Sequence, residues 1–229
     1  MSLLSFLLIP PALWATYAWG GHLLAMNAVW SGPRLARRVA LTFDDGPDPV
    51  HTPRLLELLD EVRGRGTFFL VGERAVRSPE VARAIVAAGH EVGNHTWSHR
   101  NLWGCSPRET EREIRRGDEA IASAAGQRPR YFRPPWGMVN LAVFPTLRRL
   151  GTPCVFWSLQ PEGLKRCPPG LMVERVIRRV RPGAIVDLHD ADGLPGAGGR
   201  LIEALPAMIE RLRQAGYEPG SLGELLAGA

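Results

Sequence analysis

The chain has 229 residues and a mass of 25.2 kDa, enough for one domain of ordinary size with a short additional segment. Its hydrophobic content of 45% and charged content of 22% are typical of folded globular proteins and argue against an intrinsically disordered chain. The net charge is +5, but the arginines are scattered over predicted helices, so we expect no nucleic-acid partner. The three cysteines form no C-x-x-C pair and are predicted to be free thiols.

The first 33 residues contain no Lys, Arg, Asp or Glu, and residues 3–19 are almost continuously apolar. This stretch is long enough for about one membrane crossing. We therefore expect residues 1–33 to be an apolar N-terminal segment that anchors the chain in a membrane, and residues 34–229 to form the folded domain. The alternatives are an apolar helix packed on that domain and an interfacial segment. The arginines that follow favour a cytoplasmic domain, although translocation of a whole domain can override this bias.

From residue 38 onward, short apolar runs alternate with amphipathic segments. The apolar runs predict strands at 39–43, 67–71, 91–95, 130–133, 153–157 and 184–189. The amphipathic segments predict helices at 52–63, 79–88, 106–125, 141–150, 171–180 and 200–214. This alternation predicts an α/β fold with a mostly parallel sheet, and six or seven such repeats can close into a barrel.

Polar and aromatic side chains follow the predicted strands at their carboxyl ends, where active sites lie in such folds. The residues are Asp44, Asp45, His95, His99, Arg133, Trp136, Trp157 and His189. Because neighbouring side chains on a strand point to opposite faces, Asp44 and Asp45 are predicted to have separate roles.

The histidines His95 and His99 are four residues apart, a spacing that lets both face one metal ion if the chain turns helically after Asn94. This pair alone is weak evidence. Asp45 completes a set of two imidazoles and one carboxylate, which suits Zn²⁺ first and also Fe²⁺, Co²⁺ or Mn²⁺. A bound divalent ion supplies the activated water that hydrolysis of an amide needs.

The remaining polar residues fit acid-base chemistry. Asp44 is free to act as general base, and Arg133 is the candidate to hold it through a bidentate pair. His189 can protonate a departing amine. Turn capping by the two aspartates and a core histidine at 189 stay open as alternatives. Trp136 and Trp157 can stack on a sugar ring, although tryptophans buried in a barrel are almost as common.

The segments 42–47, 89–99, 133–137 and 188–190 together resemble the NodB-homology polysaccharide deacetylases. The resemblance extends over residues 37–225. It implies a distorted (β/α)7 barrel and metal-dependent removal of N-acetyl groups from amino sugars. It also implies the base at Asp44, metal ligands at Asp45, His95 and His99, a base-positioning residue at Arg133 and the general acid at His189.

This sequence departs from the family pattern in two places. After Trp157 and Ser158 the family has acidic residues, one of which pairs with the general-acid histidine, whereas residues 159–163 here read Leu-Gln-Pro-Glu-Gly. The residue two before His189 is Asp187, where the family has an apolar residue. Residues two apart on a strand share a face, so we expect Asp187 to orient His189 and raise its pKa.

The expected protein is a metal-dependent hydrolase of a cell-envelope carbohydrate, anchored to a membrane with its catalytic domain outside the cytoplasm. One alternative is a deacetylase of a lipid-linked sugar or glycolipid. Another is a catalytically silent, carbohydrate-binding relative. A two-carboxylate glycosidase is disfavoured, because adjacent acids on one strand cannot straddle a glycosidic bond.

Overall fold

The computed structural model describes residues 11–162, 167–191 and 196–227. Its sheet contains five parallel strands: β1 (Arg38–Asp44), β2 (Thr67–Leu70), β3 (Glu91–Asn94), β4 (Ala184–His189) and β5 (Glu218–Gly220). The order is β3-β2-β1-β4, and β5 also pairs with β1. The register places Asp44 opposite His189, so the polar residues that end these two strands meet at one edge of the sheet.

The described residues contain nine α-helices that surround the sheet. They are α1 (Pro11–Leu24), α2 (His51–Glu61), α3 (Gly72–Arg77), α4 (Pro79–Ala87), α5 (Pro107–Ala125), α6 (Val143–Leu150), α7 (Pro169–Arg179), α8 (Ala197–Gln214) and α9 (Leu222–Leu226). The six predicted helices are all present. Start signals explain the best agreement: the Ser106 side chain accepts a hydrogen bond from the Glu109 amide and Glu109 bonds back, a capping box that begins α5. The short elements α3, α9 and β5 were not predicted.

Two of the predicted strands, at 130–133 and 153–157, appear only as single bridges. Asn94 bridges to Phe132, Phe132 bridges to Cys154, and Leu159 bridges to Val186. Proline limits both segments, because Pro134, Pro135 and Pro153 have no amide hydrogen for a longer ladder. All these bridges are parallel and carry the pairing from β3 round to β4. The predicted distorted barrel with mostly parallel strands is therefore confirmed.

Apolar side chains on both sides of the sheet form the core. The largest cluster lies between the sheet and the helices that cover it, and includes fully buried Phe43, Phe68, Leu59 and Ile209. Burying a side chain of this size contributes roughly 1.5–3 kcal/mol. The three cysteines are free and buried, as predicted.

Helix α1 packs on the domain. The Tyr17 carbonyl accepts a hydrogen bond from the Leu141 amide (3.1 Å), and a Cβ on Gly21 would lie 2.6 Å from the Asn140 carbonyl carbon, so only glycine permits this approach. Across the described residues, no helix is long and apolar enough to cross a membrane. The predicted anchor is not confirmed, and residues 1–10 of that segment lie outside the described part. Residues 11–24 follow the alternative of a packed apolar helix.

Candidate active site

The first site segment is the turn that follows β1. Asp44 is the last residue of the strand, and Asp45 adopts a left-handed conformation with φ of 76°. Two contacts hold the turn: Arg74 Nη1 donates to the Asp45 carbonyl (2.8 Å), and the Val71 amide donates to the Gly46 carbonyl (2.8 Å). The sequence prediction that strand alternation separates the two aspartates is therefore corrected. The positive φ of Asp45 redirects its side chain.

The second segment follows β3 and carries both histidines. The helical turn considered as a way for both histidines to face one metal ion is not formed in this segment, because Thr96 and His99 have positive φ values of 69° and 54°. The Asn94 side chain fixes this turn: its Oδ1 accepts from the Thr96 amide (2.9 Å) and its Nδ2 donates to the Ile114 carbonyl (2.8 Å). Thr96 Oγ1 in turn accepts from the His99 amide (3.1 Å). Left-handed conformations at non-glycine residues cost free energy and cluster at functional sites.

These two turns bring Asp45, His95 and His99 together. Asp45 Oδ1 lies 2.9 Å from His99 Nε2 and 3.5 Å from His95 Nε2, and the ligand atoms of the three residues lie within 4.8 Å of one another. Asp45 Oδ1 is buried and, among the described residues, has no hydrogen-bond donor of good geometry. A buried oxygen in this condition beside two imidazoles fits a divalent metal ion as its missing partner.

Protonation states at the trio also suit metal binding. His95 Nδ1 lies 2.7 Å from the Arg133 carbonyl, which requires the proton on Nδ1 and leaves the Nε2 lone pair facing Asp45. Burial lowers the pKa of His95 to about 4, so the imidazole is neutral. Burial opposes ionisation of Asp45, but His99 and His95 outweigh it and hold the pKa of that carboxyl well below its usual range.

Arg133 holds the other aspartate of the pair. Its side chain is fully buried, and Nη1 lies 2.7 Å from Asp44 Oδ1. The predicted bidentate geometry is wrong, because Nη2 donates to the Phe156 carbonyl (3.1 Å) and Nε donates to the Val155 carbonyl (3.4 Å). Asp44 Oδ2 thus makes no bond to the guanidinium. It lies 3.8 Å from His95 Nε2, on the side of the metal-binding trio.

His189, at the end of β4, pairs with Glu162. His189 Nδ1 lies 2.6 Å from Glu162 Oε2, and the His189 amide donates to Glu162 Oε1 (3.1 Å). Asp187 raises the pKa of this histidine as predicted, but the prediction that Asp187 orients the ring is wrong, because the ring bonds to Glu162. Asp187 instead accepts from Arg133 Nη1 (3.3 Å) and from Gln160 Nε2 (3.0 Å), because it is buried within the barrel and not at its mouth.

Glu162 is the site residue that sequence reasoning missed. It lies in the polar segment that follows Trp157, so the acid that the family pattern requires is present at a shifted position. Burial lowers the pKa of His189, but nearby Asp187 and the hydrogen bond that His189 donates to Glu162 outweigh burial and raise this pKa well above its usual value. The imidazole is therefore protonated at neutral pH, with Nδ1–H held by Glu162 and Nε2–H available as a donor.

The two tryptophans lie in different positions. Trp136 is 56% exposed, and its ring centroid lies 4.4 Å from that of His99, so it forms an open wall beside the metal-binding trio. Trp157 is half-buried, and its ring centroid lies 5.6 Å from the Arg133 guanidinium carbon. Stacking of Trp136 or Trp157 on a sugar ring stays a prediction.

Comparison with known proteins finds polysaccharide deacetylases among the curated relatives. A family model described as polysaccharide deacetylase matches residues 31–155. A peptidoglycan-N-acetylglucosamine deacetylase of Bacillus cereus is 34% identical over 199 residues, which cover 86% of this chain and 92% of the relative. A chitooligosaccharide deacetylase of Bradyrhizobium is 38% identical over 200 residues, which cover 82% of this chain and 90% of the relative.

Solved structures agree with the fold. A peptidoglycan N-acetylglucosamine deacetylase crystallised with a benzamide ligand has a TM-score of 0.84 at 30% identity, covering 91% of this chain and 98% of that one. A Bacillus anthracis protein described as a family 4 carbohydrate esterase pseudoenzyme has a TM-score of 0.78 at 31% identity, covering 86% of this chain and 67% of that one. On the family model, the relatives and the geometry of the site, the chain belongs to the polysaccharide deacetylase family.

Proposed function

We propose that this chain removes the N-acetyl group from N-acetylglucosamine-type units of a cell-envelope glycan, with a divalent metal ion held by Asp45, His95 and His99. One observation carries the proposal: the free oxygen of Asp44 faces the metal-binding trio, and a protonated histidine ends the neighbouring strand. The relatives named for peptidoglycan and chitooligosaccharide support this substrate class. Since envelope glycans lie outside the cytoplasm, we place the catalytic domain there.

The donor set supports Zn²⁺ as the ion. Two neutral imidazoles and one carboxylate are typical of catalytic zinc sites, although Co²⁺, Fe²⁺ and Mn²⁺ accept the same ligands. When bound, such an ion polarises the acetamide carbonyl and makes water a stronger acid.

The side chains of the protein then handle the protons. Asp44 Oδ2 removes a proton from the attacking water, while Arg133 holds Oδ1 and so fixes the direction of the carboxylate. As the amide C–N bond breaks, His189 donates the Nε2 proton to the departing amine nitrogen. Glu162 stabilises the imidazolium and keeps the ring in place through Nδ1–H. The products are acetate and a free amino sugar.

The rival function is a catalytically silent protein that only binds carbohydrate. The pseudoenzyme among the structural neighbours shows that the fold alone does not establish activity. The geometry favours an enzyme here, because Asp44, the trio and the His189–Glu162 pair are all present. Their side chains are buried except those of His99 and His189, which are partly exposed.

The test uses the metal-loaded full chain with acetylated chito-oligosaccharides and peptidoglycan fragments. Mass spectrometry is expected to detect free amino sugars, and released acetate is measured in parallel. In the matched variant Asp44→Asn, we expect metal content to be retained and the rate to fall by about 10²–10⁴-fold. If the metal-loaded chain binds these glycans but releases no acetate, it is the silent binding relative.

A further inference from the structure

The outward face of α1 is exposed and apolar. Four side chains on this side of the segment are 61–80% exposed: Leu13 (64%), Trp19 (61%), Leu23 (75%) and Met26 (80%). We call these residues the α1 face. Monomeric soluble proteins expose isolated apolar residues, but a contiguous set of large ones marks a surface that binds a partner.

Residues 1–33 carry no Lys, Arg, Asp or Glu, and the described part of α1 turns Ala18 and Gly21 toward the domain. Thr16 also lies on the exposed side, but its hydroxyl donates to the Ala12 carbonyl (2.9 Å) within the helix. The exposed side of the helix is thus largely apolar and offers a charged partner no acidic, lysine or arginine side chain.

Helix α1 also lies beside the mouth of the active site. Its Trp14 and Trp19 side chains contact Trp103, which follows His99 by four residues. Its carboxyl half packs on Asn140, which follows Trp136 by four residues. The two segments that contact the helix, residues 99–103 and 136–140, therefore begin at His99 and Trp136 of the site.

We propose that the α1 face docks on a lipid bilayer, with the helix lying in the plane of the membrane surface. Tryptophan side chains such as Trp19 favour the interface between headgroups and acyl chains. A second copy of the chain is a poorer occupant. A helix of 14 residues is about 21 Å long and about 10 Å wide, so its face offers roughly 200 Å², against about 800 Å² per partner in a stable dimer.

Charge and sequence around the helix fit a lipid partner. The first acidic residue of the chain is Asp44 and the net charge is +5, so α1 itself carries no carboxylate that would repel anionic headgroups. Residues 1–10, directly before α1, are uncharged and mostly apolar in sequence. Docking in this orientation holds the site next to the membrane surface, where sugars attached to lipids are presented.

The experiment is co-sedimentation of the full chain with vesicles of phosphatidylcholine, alone and mixed with phosphatidylglycerol. We expect binding to both, and tighter binding to the anionic mixture. The variant Trp19→Glu/Leu23→Glu should lose at least about tenfold in vesicle partitioning, because charged side chains are costly in the interface. The matched control Val50→Glu/Val76→Glu changes two exposed valines elsewhere and should bind as the unchanged chain does.

A milder variant, Leu13→Gln/Leu23→Gln, should reduce binding in the same direction, and circular dichroism melts check that all variants fold. Any of three outcomes would overturn the proposal. The first is that the unchanged chain does not bind vesicles, and the second is that both α1 variants bind vesicles as the unchanged chain does. The third is that sedimentation velocity shows a dimer that the α1 variants lose, without vesicle binding. None of these readouts requires deacetylase activity, so the proposed function stands or falls separately.

Discussion

The site has two halves that are built differently. In the metal-and-base half, backbone turns after β1 and β3 set the positions of Asp45 and His99 through positive φ values. In the acid half, His189 is held by one side chain, Glu162, which lies 27 residues away in sequence. The first half combines local turns with several long-range contacts, among them the bond from Arg133 to Asp44, whereas the second depends on one side chain.

The two halves differ in how many contacts hold their side chains in place. Each turn of the metal-and-base half has several hydrogen bonds, such as those of Asn94 to Thr96 and to Ile114. His189 is held through its backbone amide and through Nδ1, and both of these described contacts go to the Glu162 carboxylate. Substituting a metal ligand or the base should abolish function, because it removes a reacting group. Substituting Glu162 leaves the acid His189 in the chain and should change its pKa and rate.

The largest effect is expected in the metal-and-base half. Asp45→Ala removes the oxygen shared by both imidazoles, so metal content and activity should be lost together, with a rate decrease of at least about 10³-fold. Elemental analysis and acetate release measure the two quantities. Asp60→Ala, which removes an exposed carboxylate of α2, serves as the control and should change neither. Full activity in Asp45→Ala would contradict the assigned metal site.

In the acid half we expect a smaller loss and a shift in pH dependence. Glu162→Gln removes a charge that raises the pKa of His189, so this pKa falls toward its usual value. Because the general acid must be protonated, the high-pH limb of the kcat profile should move to lower pH. We expect the rate at neutral pH to fall roughly 10- to 100-fold, within the range that general acid catalysis supplies.

The pH profile of Asp187→Asn should be compared with that of Glu162→Gln. Burial raises the pKa of Asp187 itself to about 8, so its charge raises the pKa of His189 in the high-pH range where this limb lies. Asp187 makes no described contact with the ring. The limb should shift in the same direction, while the imidazole keeps its Glu162 bond and its position. A larger rate loss in Asp187→Asn than in Glu162→Gln would assign the positioning role to Asp187.

A stability effect is expected at Asp190, which lies close to the turn that carries Asp45. Burial, with Asp45 and Asp44 nearby, raises the pKa of Asp190 from 3.8 to about 7, although the bond from Thr52 Oγ1 lowers it. The folded state therefore holds this proton more tightly than the unfolded chain, and the carboxyl reduces stability as pH rises from about 4 to 7. Asp190→Asn should raise the free energy of unfolding of metal-free protein by roughly 2 kcal/mol near pH 8, and by less near pH 5. Urea melts at both pH values test this, and an equal change at both would refute it.

The smallest effect is expected at Trp136, on the exposed rim of the site. Trp136→Ala removes the exposed ring beside His99, so KM should rise several-fold, consistent with about 1 kcal/mol for one stacking contact, while kcat changes little. Steady-state kinetics on chito-oligosaccharides separate the two constants. A fall in kcat with unchanged KM would place Trp136 in ligand positioning instead.

The sequence allowed the metal-and-base half to be predicted because its residues lie in short contiguous motifs at strand ends. It did not reveal the turn conformations: neither the left-handed Asp45 nor the non-helical path from His95 to His99 follows from residue spacing. Glu162 was missed since its pairing depends on how a loop returns to β4. Strand pairing at 130–133 and 153–157 was overestimated, because apolar composition does not report where prolines interrupt a ladder.

Arg133 links the base of the metal-and-base half to the barrel wall. Its guanidinium reaches Asp44, Asp187 and the carbonyls of Val155 and Phe156, and removing one member of a buried charge pair costs about 3–5 kcal/mol. A library selected only for soluble expression would therefore retain this arginine as strongly as one selected for catalysis. Directed evolution toward new acyl groups should leave position 133 unchanged and vary the exposed rim instead.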